Sequence, residues 1–232
     1  MSSLVSALQR FNRKERSWLI RDALGAGADT LCPDFRERLA KTLQEYDREI
    51  SIPPDAWWTT DFHIDWLIGA LMILAESEDA VDTAKANPPG FVTGSQQDID
   101  LLIAWDTTLI LVEAKGVGSW SGTGTREKLA RLAGLPGTLF TGLTPYLVFS
   151  SPDDRGVPKT GLPLWIKNRE AALHMPMIPP ETGLPLLKVQ RCEVVGAKII
   201  PKAGGTQWRI LKARQPEASG AIIPNADTKR LG

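Results

Sequence analysis

The sequence predicts an α/β fold: a central mixed β-sheet flanked by helices, with an N-terminal helical extension. Three observations lead there. Two apolar segments, DIDLLIAW and TLILVEAK, stand two residues apart and have the content of paired strands. The stretch WLIGALMILA before them is apolar all round, as in a helix buried on most sides. Amphipathic patterns nearer the N-terminus supply further helices.

The elements follow in order. Residues 4–24 read as a helix, with Leu4, Leu8, Phe11, Leu19 and Leu24 among its apolar positions and Arg10, Arg13, Lys14, Arg16 and Arg21 on its polar stretch. Residues 33–49 read as a second amphipathic helix with Pro33 near its start. SIPPDAWW is a connector fixed by Pro53 and Pro54. A third helix is expected over 61–78, with Thr60 as its N-cap. A loop over 87–97 leads into the strand pair 98–105 and 108–115. After the loop GVGSWSGTGT come a helix over 125–134 and the strand PYLVFSS. Residues 151–185 are rich in Pro and Gly and read as loop, with a short strand at LPLWIK. LKVQRCEVVG and QWRILKAR read as late strands. These elements group into a helical extension over 1–55 packed on the core, a domain over 56–214 and a flexible tail over 215–232.

Composition narrows the function classes. At 232 residues the chain can form one large domain or a domain with an extension. Its 43% hydrophobic and 23% charged residues suit a soluble globular protein. The longest apolar run, Trp66 to Ala75, falls short of the roughly 18 residues of a membrane helix. The first charges follow the first apolar residues instead of preceding them, so no signal peptide is expected and the setting reads as cytoplasmic. Cys32 and Cys192 form no CxxC, and His63 and His174 are the only histidines, which argues against a zinc site of the Cys/His type. Two reduced thiols are expected, with a Cys32–Cys192 disulfide as the alternative. Net charge is zero, yet residues 1–154 hold 14 Lys+Arg against 22 Asp+Glu and residues 155–232 hold 13 against 5. An acidic half beside a basic half suits a metal site next to a phosphate-gripping surface. Ordinary solvated surface is the plainer alternative.

The strongest chemical signal is DIDLLIAWDTTLILVEAKG. A turn centred on Asp106 and Thr107 pairs Trp105 with Thr108, places Asp100 across from Glu113, and places Asp98 across from Lys115. Directly opposed Cβ atoms lie about 4.5–5.5 Å apart, close enough for two carboxylates to share one ion. Like charges placed so destabilise a sheet, and a divalent cation held by oxygen ligands, Mg2+ or Mn2+, would compensate them. The plainer alternative is a solvated charged face with an Asp98–Lys115 ion pair. That alternative calls for alternation, whereas TLILV is continuously apolar, as in a strand buried on both faces.

Asp100, twelve residues, then Glu113-Ala114-Lys115 resembles the core motif of the PD-(D/E)XK nuclease superfamily. IDLLI followed by LILVEAKG is similar to the pattern of its Holliday-junction resolvase-like and Mrr-like members. The resemblance covers roughly residues 61–150 and departs from the motif in having Ile99 where it has Pro. It implies a restriction-endonuclease-like core, with the 56–214 segment as the nuclease domain. It further implies a Mg2+- or Mn2+-dependent endonuclease acting on nucleic acid, DNA rather than RNA. A homodimer is compatible with it. Asp100, Glu113 and the Ala114 carbonyl would hold the metal, and Lys115 would orient or activate the attacking water. Family members also take an acid from the helix before the hairpin. Asp61, Asp65 and Glu76 are candidates, and Asp65 is favoured because it precedes a buried run where an unpaired carboxylate is costly; a partner for the helix dipole is the alternative.

Arg126 is the choice for meeting a phosphate on the helix after Lys115, although a solvated face is the plainer reading of Arg126, Lys128 and Arg131 alike. His63 reads as a packed histidine. Trp57, Trp58, Trp105 and Trp120 read as core or rim residues more readily than as base-stacking platforms. The glycines after Lys115 are no phosphate loop, since neither GK[ST] nor a GxGxxG opening a helix is present. The other function class compatible with these features is a catalytically inactive module of the same fold that binds nucleic acid or a protein.

Overall fold

The computed structural model describes residues 3–12, 19–20, 22–23, 29–95, 97–116, 120–177 and 187–212. They fall into two compact units, divided between Pro176 and Met177. The sequence reading runs one domain over 56–214, across that point.

The first unit is built on a five-stranded mixed sheet in the order β1-β2-β3-β4-β5. Its strands are β1 (Trp57–His63), β2 (Asp98–Trp105), β3 (Thr108–Ala114), β4 (Thr144–Ser151) and β5 (Leu173–Pro176). β1, β2 and β3 pair antiparallel in sequence, while β3–β4 and β4–β5 are parallel, so only β2 runs against the rest. The hairpin register is the expected one, from Trp105 opposite Thr108 to Leu101 opposite Val112. Its turn needs a positive φ, and Asp106 takes it at 43°.

Helices cover both faces of this sheet. On one face lie α1 (Leu4–Gln9), α3 (Ile64–Glu76) and α4 (Thr123–Gly134). Their Leu4, Leu8, Leu67, Leu71, Leu129 and Leu132 pack with the sheet's Leu102, Leu109, Leu111 and Phe149. On the other face α2 (Pro33–Leu43) sets Leu39 and Leu43 against Ile103, Ile110, Val112 and Val148. TLILV is apolar without alternation because β3 is central and covered on both sides. The two N-terminal helices are thus integral, each sealing one core. Gly69 in α3 is one reason α1's continuation fits so closely, since a Cβ there would stand 2.7 Å from the Phe11 ring. α2 is tied to the chain after it by Arg36 Nη1 to the Ile52 carbonyl (3.2 Å) and Gln44 Nε2 to the Ile50 carbonyl (3.0 Å). Beyond it, the Tyr146 hydroxyl donates to Asp47 at 2.7 Å.

Several expectations are corrected. The helix expected over 61–78 begins only at Ile64, because Trp57–His63 is strand β1. Trp, Thr and Phe are strong strand formers, and the strand supplies β2 with its second neighbour. Thr60 is therefore a strand residue and no N-cap, and Asp61 lies on β1 with a positive φ of 52°. The second helix stops at Leu43 instead of reaching 49. LPLWIK forms no strand; β5 follows it at Leu173–Pro176. The first helix ends at Gln9, with Arg10 as its C-cap, instead of running on to 24; at its start the Ser3 hydroxyl accepts from the Ser6 amide at 3.1 Å. Residues 13–18 of that stretch and the tail expected over 215–232 lie outside the described residues. Both cysteines are free thiols.

The second unit contains a three-stranded antiparallel sheet in the order β7-β6-β8. β6 (Leu187–Val195) and β8 (Gln207–Lys212) are the two late strands read from the sequence, and β7 (Lys198–Pro201) is an additional one. Gly205 meets β6 so closely that a Cβ would lie 2.3 Å from the Cys192 carbonyl oxygen. Among the described residues no helix is long and apolar enough to cross a membrane.

Candidate active site

Asp100 and Glu113 occupy neighbouring strands on one face of the sheet, the face covered by α4. Backbone pairing ends at Leu101–Val112, one step before them. Here the Asp100 side chain takes over: its Oδ2 accepts the Ala114 amide at 2.7 Å. The strand end is thus held by a carboxylate where a ladder bond would otherwise stand. Glu113 is almost wholly buried, at 4% exposure.

The group that meets both acids is Lys128. Its Nζ lies 2.6 Å from Glu113 Oε2 and 3.7 Å from Asp100 Oδ1. α4 brings it there by packing the next residue, Leu129, into the core. Lys128 was read from the sequence as part of a solvated helix face; it is instead a partly buried cation between two carboxylates. The compensation that the acid pair demands is met within the chain. Even so, burial pushes the Glu113 carboxyl above its usual range, and the Asp100 charge adds to the shift; Lys128 and Lys115 oppose it.

Lys115 follows β3, its amide donating to the Ser150 carbonyl at 2.8 Å. Its charge acts on Glu113, and among the described residues its amine has no ion-pair partner. The Asp98–Lys115 pair considered from the sequence is not formed: Asp98 stands opposite His63 on β1, and its carboxylate contacts His63 Nδ1. His63 also lies edge-on to Trp66 with ring centroids 4.1 Å apart, a packed histidine.

Asp65 is engaged elsewhere. It accepts the amides of Thr93 (3.2 Å) and Gly94 (2.8 Å) and contacts Arg131 of α4. Arg131 also donates to the carbonyl of Phe91 (2.9 Å) and to Ser95 Oγ and Gln97 Oε1 (3.3 Å each). The favoured helix acid therefore clasps the 91–97 loop to α3 and α4, and Arg131 is a buried latch instead of a solvated charge. In Arg131→Met, hydrogen exchange at the Thr93 and Gly94 amides is expected to accelerate at least tenfold, with Asp100 and Glu113 undisturbed. Unchanged exchange would show that the loop is held without the latch.

Of the other two candidates, Glu76 pairs with Lys85 at the far end of α3. Asp61 lies on β1 between Thr60 and Phe62, whose partners Leu101 and Ile99 flank Asp100, so it holds the register position beside Asp100. Arg126 is exposed on α4. Trp120 is buried edge-on to Phe149 and serves as core.

A histidine absent from the sequence-level site lies on the same sheet face. Glu113, Phe149 and His174 are in register across β3, β4 and β5, and His174 Nε2 is 3.0 Å from Ser151 Oγ. Phe149 separates it from the acids. Among the described residues no three His, Cys, Asp or Glu side chains converge as a ready metal cage. In comparisons with known proteins, the chain matches no family model, no curated protein and no solved structure.

Proposed function

We propose that this protein is a Mg2+- or Mn2+-dependent nuclease that hydrolyses phosphodiester bonds of nucleic acid, DNA rather than RNA, on a restriction-endonuclease-like core. The reading is carried by one observation: Asp100 and Glu113, on adjacent strands, turn their carboxylates to a single cationic point. The mixed sheet with helices on both faces accords with the core that the PD-(D/E)XK-like motif implies.

The donors fit a hard divalent ion in kind, being acidic oxygens at the end of two strands. Asp100, Glu113 and the Ala114 carbonyl would hold it, in exchange for the Lys128 ammonium. Bound there, the ion would polarise a phosphoryl oxygen and acidify a water. The chain's own residues do the rest. Burial of Glu113 keeps competing water from its carboxylate and strengthens the charge interactions around it. Lys115, with no acid pairing its amine among the described residues, supplies positive charge for the attacking water and the phosphate. Arg126, exposed on α4, is placed to meet a neighbouring phosphate.

Lys128 also favours a second reading, an inactive module in which the lysine permanently takes the cation's place and the fold only binds. Nicking of supercoiled DNA with Mn2+ separates the two. Lys115→Ala is expected to lower the cleavage rate by about 10²–10³ with little change in melting temperature, since one lost electrostatic donor costs that much. Lys115→Arg should rescue poorly, because a planar guanidinium does not reproduce a compact ammonium. Wild-type cleavage by Lys115→Ala would remove the lysine from the mechanism.

A further inference from the structure

The sheet of the second unit has a face that the proposed nuclease site does not use. Strand alternation and register put Leu187, Val189, Arg191, Glu193 and Val195 of β6 on that face. With them lie Trp208, Ile210 and Lys212 of β8 and Lys198 and Ile200 of β7. In a sheet that needs one face covered, its apolar members are open to solvent: Val189 is 69% exposed, Trp208 65% and Ile210 58%. On the opposite face Cys192 is buried, while Val194 (51%) and Ile199 (47%) are exposed at its β7 end. An exposed apolar patch of this extent marks a binding surface.

Charge decides the occupant. On this face stand Arg191, Lys198 and Lys212 and one acid, Glu193, whose carboxylate is taken by Lys202 at 2.6 Å. Lys198 and Lys212 have no ion-pair partner among the described residues. Arg191 stands directly across from Trp208, and its Nε is fixed on the Gly205 carbonyl at 3.0 Å, which leaves the terminal nitrogens of the guanidinium for a ligand. An acidic protein surface would use the cations but gives the indole and the aliphatic row little that is flat to cover. Unpaired bases stack on such a surface while their phosphates meet the flanking cations.

We infer that this sheet face is a binding platform for single-stranded nucleic acid, with Trp208 as the stacking residue and Arg191, Lys198 and Lys212 as phosphate contacts. It shares with the nuclease reading only the class of partner and stands without cleavage. Duplex DNA, whose bases are already stacked, should bind more weakly.

The test is fluorescence anisotropy of a labelled 15-mer of deoxythymidine with the full chain in EDTA, where cleavage cannot contribute. Trp208→Ala is expected to weaken binding roughly 5- to 150-fold, the range for one lost stacked base. Trp208→Phe should keep most of it. The Lys198→Ala, Lys212→Ala double variant should reduce the salt slope by about 1.4, at about 0.7 per phosphate contact. Unaltered circular dichroism melting in each variant keeps the comparison one of binding. Four results would overturn the inference: no binding at low salt; affinity unmoved by Trp208→Ala; equal affinity for poly-glutamate; or light scattering that shows a dimer broken by Trp208→Ala with oligonucleotide binding intact, which would make the face a contact between copies. Loss of cleavage with binding retained would count against the nuclease reading alone.

Discussion

Glu113→Gln and Asp100→Asn are each expected to bring Mn2+-dependent DNA cleavage below detection while the fold is retained. Both side chains keep their shape and an accepting oxygen, so Lys128 and the Ala114 amide retain hydrogen-bond partners; only the charge needed to hold a divalent ion is lost. The stability effect has a definite sign. The Glu113 carboxyl is raised above 4.5, first by burial and then by Asp100. For such an acid the stabilising contribution is fully present below 4.5 and is lost as pH rises through the raised folded-state value. At pH 7 without metal, Glu113→Gln should therefore melt higher than wild type, and the gap should close as pH falls below 4.5. Thermal melts over a pH series that runs from below 4.5 to neutral read this directly. Cleavage at the wild-type rate in both variants would mean that the acids are structural. A lower melting temperature for Glu113→Gln at pH 7 would mean that the Lys128 contact outweighs burial.

Removing the ammonium is expected to do the opposite. Lys128→Met leaves Glu113 buried beside Asp100 with no cation between them. Breaking a buried pair from one side costs about 3 kcal/mol, and in a protein of this size that is a fall of roughly 6–12 °C in melting temperature. The loss should shrink in acid, where Glu113 is protonated, and should shrink again in the Lys128→Met, Glu113→Gln double variant, since the two residues share one interaction. Mn2+ then distinguishes the readings. If the two carboxylates can exchange lysine for a divalent ion, Lys128→Met binds Mn2+ more tightly than wild type and regains its stability with added ion by mass action. If the protein is an inactive module, Mn2+ restores nothing, and calorimetry shows no binding that depends on Glu113.

The hairpin was legible in the sequence because its evidence is local. Two apolar runs, a two-residue turn and the alternating side-chain direction of any strand are sufficient to place Asp100 and Glu113 on one face, and the register from Leu101–Val112 to Trp105–Thr108 follows. The burial of β3 on both faces could likewise be read from TLILV. β1 was obscured, since it runs directly into an apolar helix whose pattern takes in its last residues, Asp61–His63, and a strand's identity rests on a partner 35 or more residues away. The short β5 and β7 have four residues each, too few for a periodicity to declare itself.

Strand alternation is a property of the backbone, so the acid pair, its shared face and the electrostatic problem that it poses can all be read from DIDLLIAWDTTLILVEAKG. How that problem is met depends on packing. Lys128 and Arg131 sit one helical turn apart on a helix with modest amphipathicity, and nothing local distinguishes them from the exposed Arg126. Packing of Leu129 and Leu132 rotates α4 so that Lys128 faces Glu113 and Arg131 faces Asp65. Whether a charge on a helix is solvated or buried depends on which neighbour the helix lies against, and that neighbour is chosen by contacts distant in the chain.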